Sequence, residues 1–323
     1  MMPKVTNGRV DQMLTNVALA YTNPNYYADL IFPVVPGLKD DSGDIPQLGN
    51  AHLRTYATKR GVYDEGEHRL AFEYSHDQKY NIEYYDLAAY VPDRIAEQSR
   101  LPFDVHNAAQ FTVLEALKLE REIAAAAALT STAIITNNQD FTSISARQYT
   151  TATTSTPLKD ISNALASVFT KTGREANTLT IERRVANALR QHADIKAIAI
   201  AGLMGGNSKL TELSEAGLVE TLKSWFNLEN VIIVKGIKVT SKEGQTETTG
   251  NTWNPDIVAF YRPAAPTIFA PSFGYSFQLA GYDRRTVVRR NKSDKGDDVE
   301  VMWGYQDMIV DANAAYLLKG CVA

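Results

Sequence analysis

The sequence predicts an α+β chain organised around one long helix, with two β-hairpins and an inserted α/β unit. Three observations predict this. Residues 102–129, PFDVHNAAQFTVLEALKLEREIAAAAAL, hold no internal Gly or Pro and are dominated by strong helix formers. Residues 52–58 and 69–85 alternate around a Gly-rich, charged stretch at 61–66, which marks a hairpin over 39–81, and residues 284–291 and 299–305 alternate around the turn NKSDKGDD. Between helix and second hairpin, residues 158–282 interleave amphipathic helical stretches with short apolar runs.

In chain order, residues 16–37 combine a helical fragment at 10–21 with an extended apolar piece at 30–35. Pro33 and Pro36 bar the latter from a central strand, so it reads as an arm, residues 1–38, laid across other structure. The hairpin at 39–81 has few large aliphatics, Ile45, Leu48, Leu53, Val62 and Leu70. A two-stranded ribbon so poor in apolar surface cannot make its own core and must rest on a neighbour, in this chain or another copy. Residues 83–99 return the chain to the core.

The helix at 102–129 is a rod of roughly 40 Å. At 100° per residue, Val105, Ala108, Ala109, Ala116, Leu119, Ile123 and Ala127 form the stripe expected to be buried. Glu115, Lys118, Arg121 and Glu122 crowd the other side, with Phe111 and Leu114 among them. Residues 130–156, rich in Thr, Ser and Asn, read as irregular connection rather than core. In the α/β unit, helices are expected at 158–172, 182–195 and 213–226. Strands are expected at 179–181, 230–240, 256–261 and 273–279, with 195–203 a buried turn or strand. The second hairpin and a terminal strand at 308–318 form the expected sheet for the long helix. One domain then consists of 82–157 with 283–323, and the other, 158–282, is inserted.

Composition narrows the function. A net charge of −4 spread over 323 residues gives no basic field for nucleic acid. The single Cys321 cannot form an internal disulfide, the N-terminus lacks a signal-peptide core, and no apolar run is long enough to cross a bilayer, so cytoplasmic synthesis is expected. In GLMGGNSKL, 202–210, Asn207 stands where a phosphate loop needs Gly, and Ser208 precedes Lys209. His52, His68, His76, His106 and His192 show no metal-ligand spacing, NKSDKGDD lacks the order of a calcium loop, and no nucleophile motif is present. No catalytic residue, metal or cofactor is expected.

Taken in order, the arm (NPNYYADLIFPVVP), charged hairpin, spine helix, inserted α/β unit and C-terminal hairpin ending in AAYLLKG resemble the major capsid proteins of tailed bacteriophages, the HK97-like fold. The resemblance implies an E-loop at 39–81, a P-domain on the helix with the C-terminal strands, and an A-domain at 158–282. It further implies a homo-oligomer of hexamers and pentamers in an icosahedral shell around double-stranded DNA, a virion protein assembled in the host cytoplasm. Portal and separate scaffolding or decoration proteins are implied partners, with weak DNA contact and no membrane. An encapsulin-like compartment is the alternative on the same fold, and an unrelated cytoplasmic enzyme a third reading. Arg284, Arg285, Arg289 and Arg290 charge both faces of a strand. They read either as an edge protected by charge or as partners for Asp64, Glu65 and Glu67 at the hairpin tip of an adjacent subunit.

Overall fold

The computed structural model describes residues 9–10, 26–48, 74–98, 105–151, 154–202, 212–242, 244–266 and 272–323. The N-terminal part supplies β1 (Arg9–Val10), α1 (Ala28–Ile31), β2 (Val34–Leu38) and β3 (Ser42–Leu48). It continues with β4 (Tyr74–Asn81), β5 (Glu83–Pro92), α2 (Asp93–Gln98) and the spine helix α3 (Val105–Leu129). The middle holds β6 (Asn138–Asp140), α4 (Pro157–Thr172), β7 (Thr178–Glu182), α5 (Arg183–Gln191), α6 (Ala193–Gly202) and α7 (Glu215–Phe226). Then follow β8 (Asn230–Val234), β9 (Ile237–Val239), β10 (Thr249–Asn251), β11 (Ile257–Phe260) and β12 (Gly274–Leu279). β13 (Arg285–Asn291), β14 (Gly296–Ile309) and β15 (Ala315–Lys319) close the chain.

The sheet beneath the spine helix is built on one long strand. β14 pairs antiparallel with β13 through Arg285↔Met302 to Asn291↔Gly296, and with β12 through Gly274↔Ile309 to Gln278↔Tyr305. β12 and β13 thus oppose β14 as one strand interrupted between them, where Gly281 and Arg284 take positive φ of 87° and 48°. β5 pairs with β14 over ten positions, while β1 joins β13 and β2 joins β12 in parallel. Pro33 and Pro36 are therefore tolerated because β2 lies at the end of the sheet. The run 273–279, expected to complete the α/β layer, belongs instead to this sheet.

The second sheet runs β6-β15-β11-β7-β8. Its strands β7 and β8 are parallel, with α5, α6 and α7 between them in sequence. Helix ends follow local chemistry: Pro157 opens α4, Gly173 closes it at φ 68°, and Ser214 accepts from Gly217 N–H at 3.0 Å to cap α7. Three expectations change here. Residues 195–203 form helix α6 for most of their length, because a short all-apolar run does not declare its period and Ile195 and Ala199, one turn apart, are both fully buried. The strand expected at 230–240 breaks into β8 and β9, the latter in a separate two-stranded ribbon with β10, with Ile237 62% and Val239 55% exposed. The terminal strand β15 pairs with β11 in this second sheet rather than joining the sheet of the second hairpin. The connection 130–156 also contributes core, since Ile135, Phe141 and Tyr149 are buried.

The chain's end is clasped by Asp256, which is 5% exposed and accepts from Gly320 N–H at 2.7 Å. Burial pushes its carboxyl up to about 6, against the opposing pull of that N–H and of Lys319. A carboxyl held above its unfolded value binds a proton more tightly when folded, so its contribution to stability is complete near pH 4 and falls as pH rises to about 6. Asp256→Asn keeps the acceptor and cannot ionise. Its Tm should gain on the parent's between pH 4 and 6, by the equivalent of roughly 3 kcal/mol. Parallel Tm profiles would refute this.

Candidate assembly surfaces and their anchor

The spine helix buries the face that the helical projection assigned to solvent. Gln110, Val113, Leu114, Leu117, Lys118, Arg121, Glu122, Ala125, Ala126 and Leu129 are buried, whereas Ala116, Ala124 and Ala127 are exposed and Val105, Ala108, Ala109, Leu119 and Ile123 only partly covered. The cause lies in side-chain size. Val113, Leu114 and Leu117 pack on Val301, Trp303 and Tyr305 of β14, a larger apolar gain than the Ala-rich stripe offers. The charges on that face are buried because each meets partners distant in sequence.

Arg121, 2% exposed, holds Asp307 bidentately, Nε to Oδ2 at 2.6 Å and Nη2 to Oδ1 at 3.0 Å. Its Nη1 pairs with Asp29 and its Nη2 donates to Ser276 Oγ at 3.2 Å. The guanidinium also lies 5.0 Å from the Trp303 ring and 5.1 Å from that of Tyr305. Next to it Glu122, fully buried, accepts from the N–H groups of Tyr27 and Ala28 and from Trp253 Nε1, each at 2.9 Å. Tyr27 precedes α1 and offers no side-chain cap, so the Glu122 carboxylate serves as one from the spine. Burial raises its pKa, with the three N–H donors opposing. For Asp29 burial also acts upward, but Arg121 outweighs it and the carboxyl is held below its usual range. Two adjacent spine residues thereby tie the N-terminal segment to β12 and β14 and to Trp253. A helical projection could not have revealed Arg121 and Glu122, but the i, i+3/i+4 set of large residues 113, 114 and 117 marks their face.

The ribbon β3–β4 is antiparallel, and its base is anchored in its own chain: Ile45 and Tyr80 are buried, and Tyr80 stacks on Phe277 at 4.9 Å. The tip, with Asp64, Glu65 and Glu67, lies outside the described residues, as do His52, His68 and most of 202–210. The four arginines are within them. Arg290 holds Asp93 at 2.6 Å and Asp297 at 3.2 Å, and Arg289 pairs with Glu300 at 2.7 Å. Arg284 pairs with Asp283 at 2.9 Å. Arg285 lies over the Tyr282 ring at 5.7 Å, with no carboxylate in salt-bridge range among the described residues. The NKSDKGDD turn is held by Asn291, whose Nδ2 donates to Asp294 Oδ2 at 2.9 Å, and Lys295 takes φ 53°. That is turn chemistry, as expected.

One cluster has the composition of a hydrolase triad. Ser155 Oγ lies 3.0 Å from His192 Nε2, and His192 Nδ1 lies 3.8 Å from Asp194 Oδ2. The donors run the wrong way for nucleophile activation. Asp194 N–H donates to Nδ1 at 3.3 Å, so Nε2 carries the proton, while the Ser155 hydroxyl donates to Thr151 O at 2.7 Å. Burial lowers the His192 pKa, which keeps the ring neutral in this structural role. Among the described residues no cluster of His, Cys, Asp and Glu could hold a metal, and no helix is long and apolar enough to cross a membrane.

No family model matches the sequence. The crystal structure of a phage-related protein from Bordetella bronchiseptica RB50 shares the fold at a TM-score of 0.74, with 22% identity over 98% of each chain. The capsid structure of cyanophage P-SCSP1u matches at 0.56, with 13% identity over 99% of this chain and 93% of the other. The major capsid protein of Burkholderia phage BcepMu is 26% identical over 328 residues, 96% of each chain. The chain is similar along nearly its whole length to a phage major capsid protein and has the HK97-like fold of phage capsid structures. The Arg121–Glu122 pair joins the N-terminal segment and the spine to β12, β14 and Trp253.

Proposed function

We propose that this phage major capsid protein closes into an icosahedral shell of hexamers and pentamers around a double-stranded DNA genome, its β3–β4 ribbon reaching onto a neighbouring copy. The full-length likeness to a phage major capsid protein carries the capsid reading and favours a virion over an encapsulin-like compartment. The lapping arm rests on the ribbon itself, which is seated at its base by Ile45 and Tyr80, while the stretch between its strands, 49–73, is poor in large aliphatics. In this reading the spine with the six-stranded sheet acts as the P-domain and the five-stranded sheet with its helices as the A-domain. Asp64, Glu65 and Glu67 meet Arg284, Arg285, Arg289 and Arg290 of the next copy. Arg285 is the most available, whereas Arg289 and Arg290 would have to exchange partners. Contacts that are modest singly become strong on ring closure, since later ones form within a single assembly. The role asks for no catalysis. Portal and scaffolding or decoration proteins complete the particle, which assembles in the host cytoplasm.

Replacing residues 49–73 by an Asn-Gly turn leaves Ile45 and Tyr80 in place. The shortened chain should keep its circular dichroism spectrum yet form no particles in electron micrographs. Normal shells from it would overturn the lapping arm.

A further inference from the structure

We propose that the polar cavity where β7 and β8 begin and β11 ends is a binding site for a small zwitterion, a carboxylate and an amine joined by a short chain. The site lies within one copy of the chain, so it stands apart from the shell reading above. The cavity has a volume of about 590 Å³, within the usual range of small-molecule pockets. Arg174, Glu175, Glu229 and Arg262 all line it. Its two guanidiniums lack an anion. Arg262 is half-buried, yet among the described residues its side chain makes one hydrogen bond, from Nη1 to the carbonyl of Leu30. Burial pulls its pKa down, and no carboxylate opposes the shift. Arg174 reaches the Tyr261 hydroxyl at 3.4 Å and lies over that ring, 5.5 Å from its centre, again with no carboxylate in salt-bridge range among the described residues. In the same α/β unit Arg147, Arg184 and Arg190 each hold a carboxylate. A guanidinium taken partly out of water without a counter-ion keeps unused donors, and their fork matches an incoming carboxylate.

The opposite charge stands in the same walls. Glu229 accepts from Asn177 Nδ2 at 2.9 Å, and Glu175 has no partner among the described residues. α4 and α7 both end beside the cavity, closed by Gly173 and Asn227 at φ 68° and 52°, and helix C-termini favour cations. Two carboxylates in the wall disfavour a phosphate or a nucleic-acid backbone, so the ligand brings one negative charge and one positive. Asn177 holds the site in shape before anything binds. Its Oδ1 accepts from the Arg262 N–H at 2.9 Å and its Nδ2 donates to the Arg262 carbonyl at 2.6 Å. Its own carbonyl accepts from the N–H groups of Glu229 and Asn230 at 3.0 and 3.1 Å. Three segments distant in sequence are thereby pinned at one residue, which lowers the ordering cost of binding.

Isothermal titration calorimetry of the full-length chain tests this, with 6-aminohexanoate as the probe and hexanoate, hexylamine and inorganic phosphate beside it. The zwitterion should bind about tenfold or more tightly than each of the others. Arg174→Met, at an exposed side chain, and Arg262→Met should each lose about tenfold or more of that affinity while keeping the parent's near-UV circular dichroism spectrum. Should Arg262→Met lose the spectrum, Arg174→Met alone decides. Glu175→Gln/Glu229→Gln should bring 6-aminohexanoate down to the level of hexanoate. No binding of 6-aminohexanoate to the parent, equal binding of any of the other three, or parent-like affinity in Arg174→Met would overturn the site, and none of these results touches the shell reading.

Discussion

Arg121→Ala should unfold with about 3–5 kcal/mol less stability than the parent in equilibrium urea titration of the unassembled chain. The guanidinium is 2% exposed and is the bidentate partner of Asp307, whose side chain is only 12% exposed. Removing it strands that carboxylate in a site closed by Trp303 and Tyr305, where water cannot replace the lost donors. Asp29, about half exposed, can rehydrate and contributes less to the loss. If the penalty arises from stranded charge, Arg121→Met/Asp307→Leu should recover most of it, since a packed apolar pair often matches a buried ion pair. A double variant as unstable as Arg121→Ala would show that packing around the guanidinium, and not the charge, carries the stability.

Glu122→Ala should cost about 2–5 kcal/mol, because three N–H donors lose their acceptor together. The loss should be greatest in the N-terminal segment, where α1 depends on this carboxylate for its cap. Amide exchange at Ala28, Ile31 and Phe32 is expected to accelerate about 30-fold or more, with core strands β7 and β11 exchanging in proportion to global stability alone. Glu122→Gln retains one acceptor oxygen and should fall between. Uniform acceleration throughout the chain would mean that the segment has no stability of its own to lose.

The spine helix, the long C-terminal hairpin, the returning ribbon strand at 74–81 and most helices of the α/β unit were legible in the sequence, because propensity, period and turn residues are local quantities. The outgoing ribbon strand, by contrast, lies at 42–48, outside the alternation expected at 52–58 and 69–85. Gly173 and the alternation at 285–291 needed no tertiary partner to declare themselves. The order of these elements also carried the resemblance to phage capsid proteins. The amino-acid sequence alone therefore determined which elements exist and in what succession. Only the tertiary structure decided which face of the spine is buried, that β12 belongs to one sheet and β15 to the other, and where Arg121 and Glu122 find partners. The reason is physical: Asp307 is 186 residues from Arg121 and Trp253 is 131 from Glu122. A buried charge is tolerated only where a distant segment brings the opposite charge or a donor, and no local window contains that meeting.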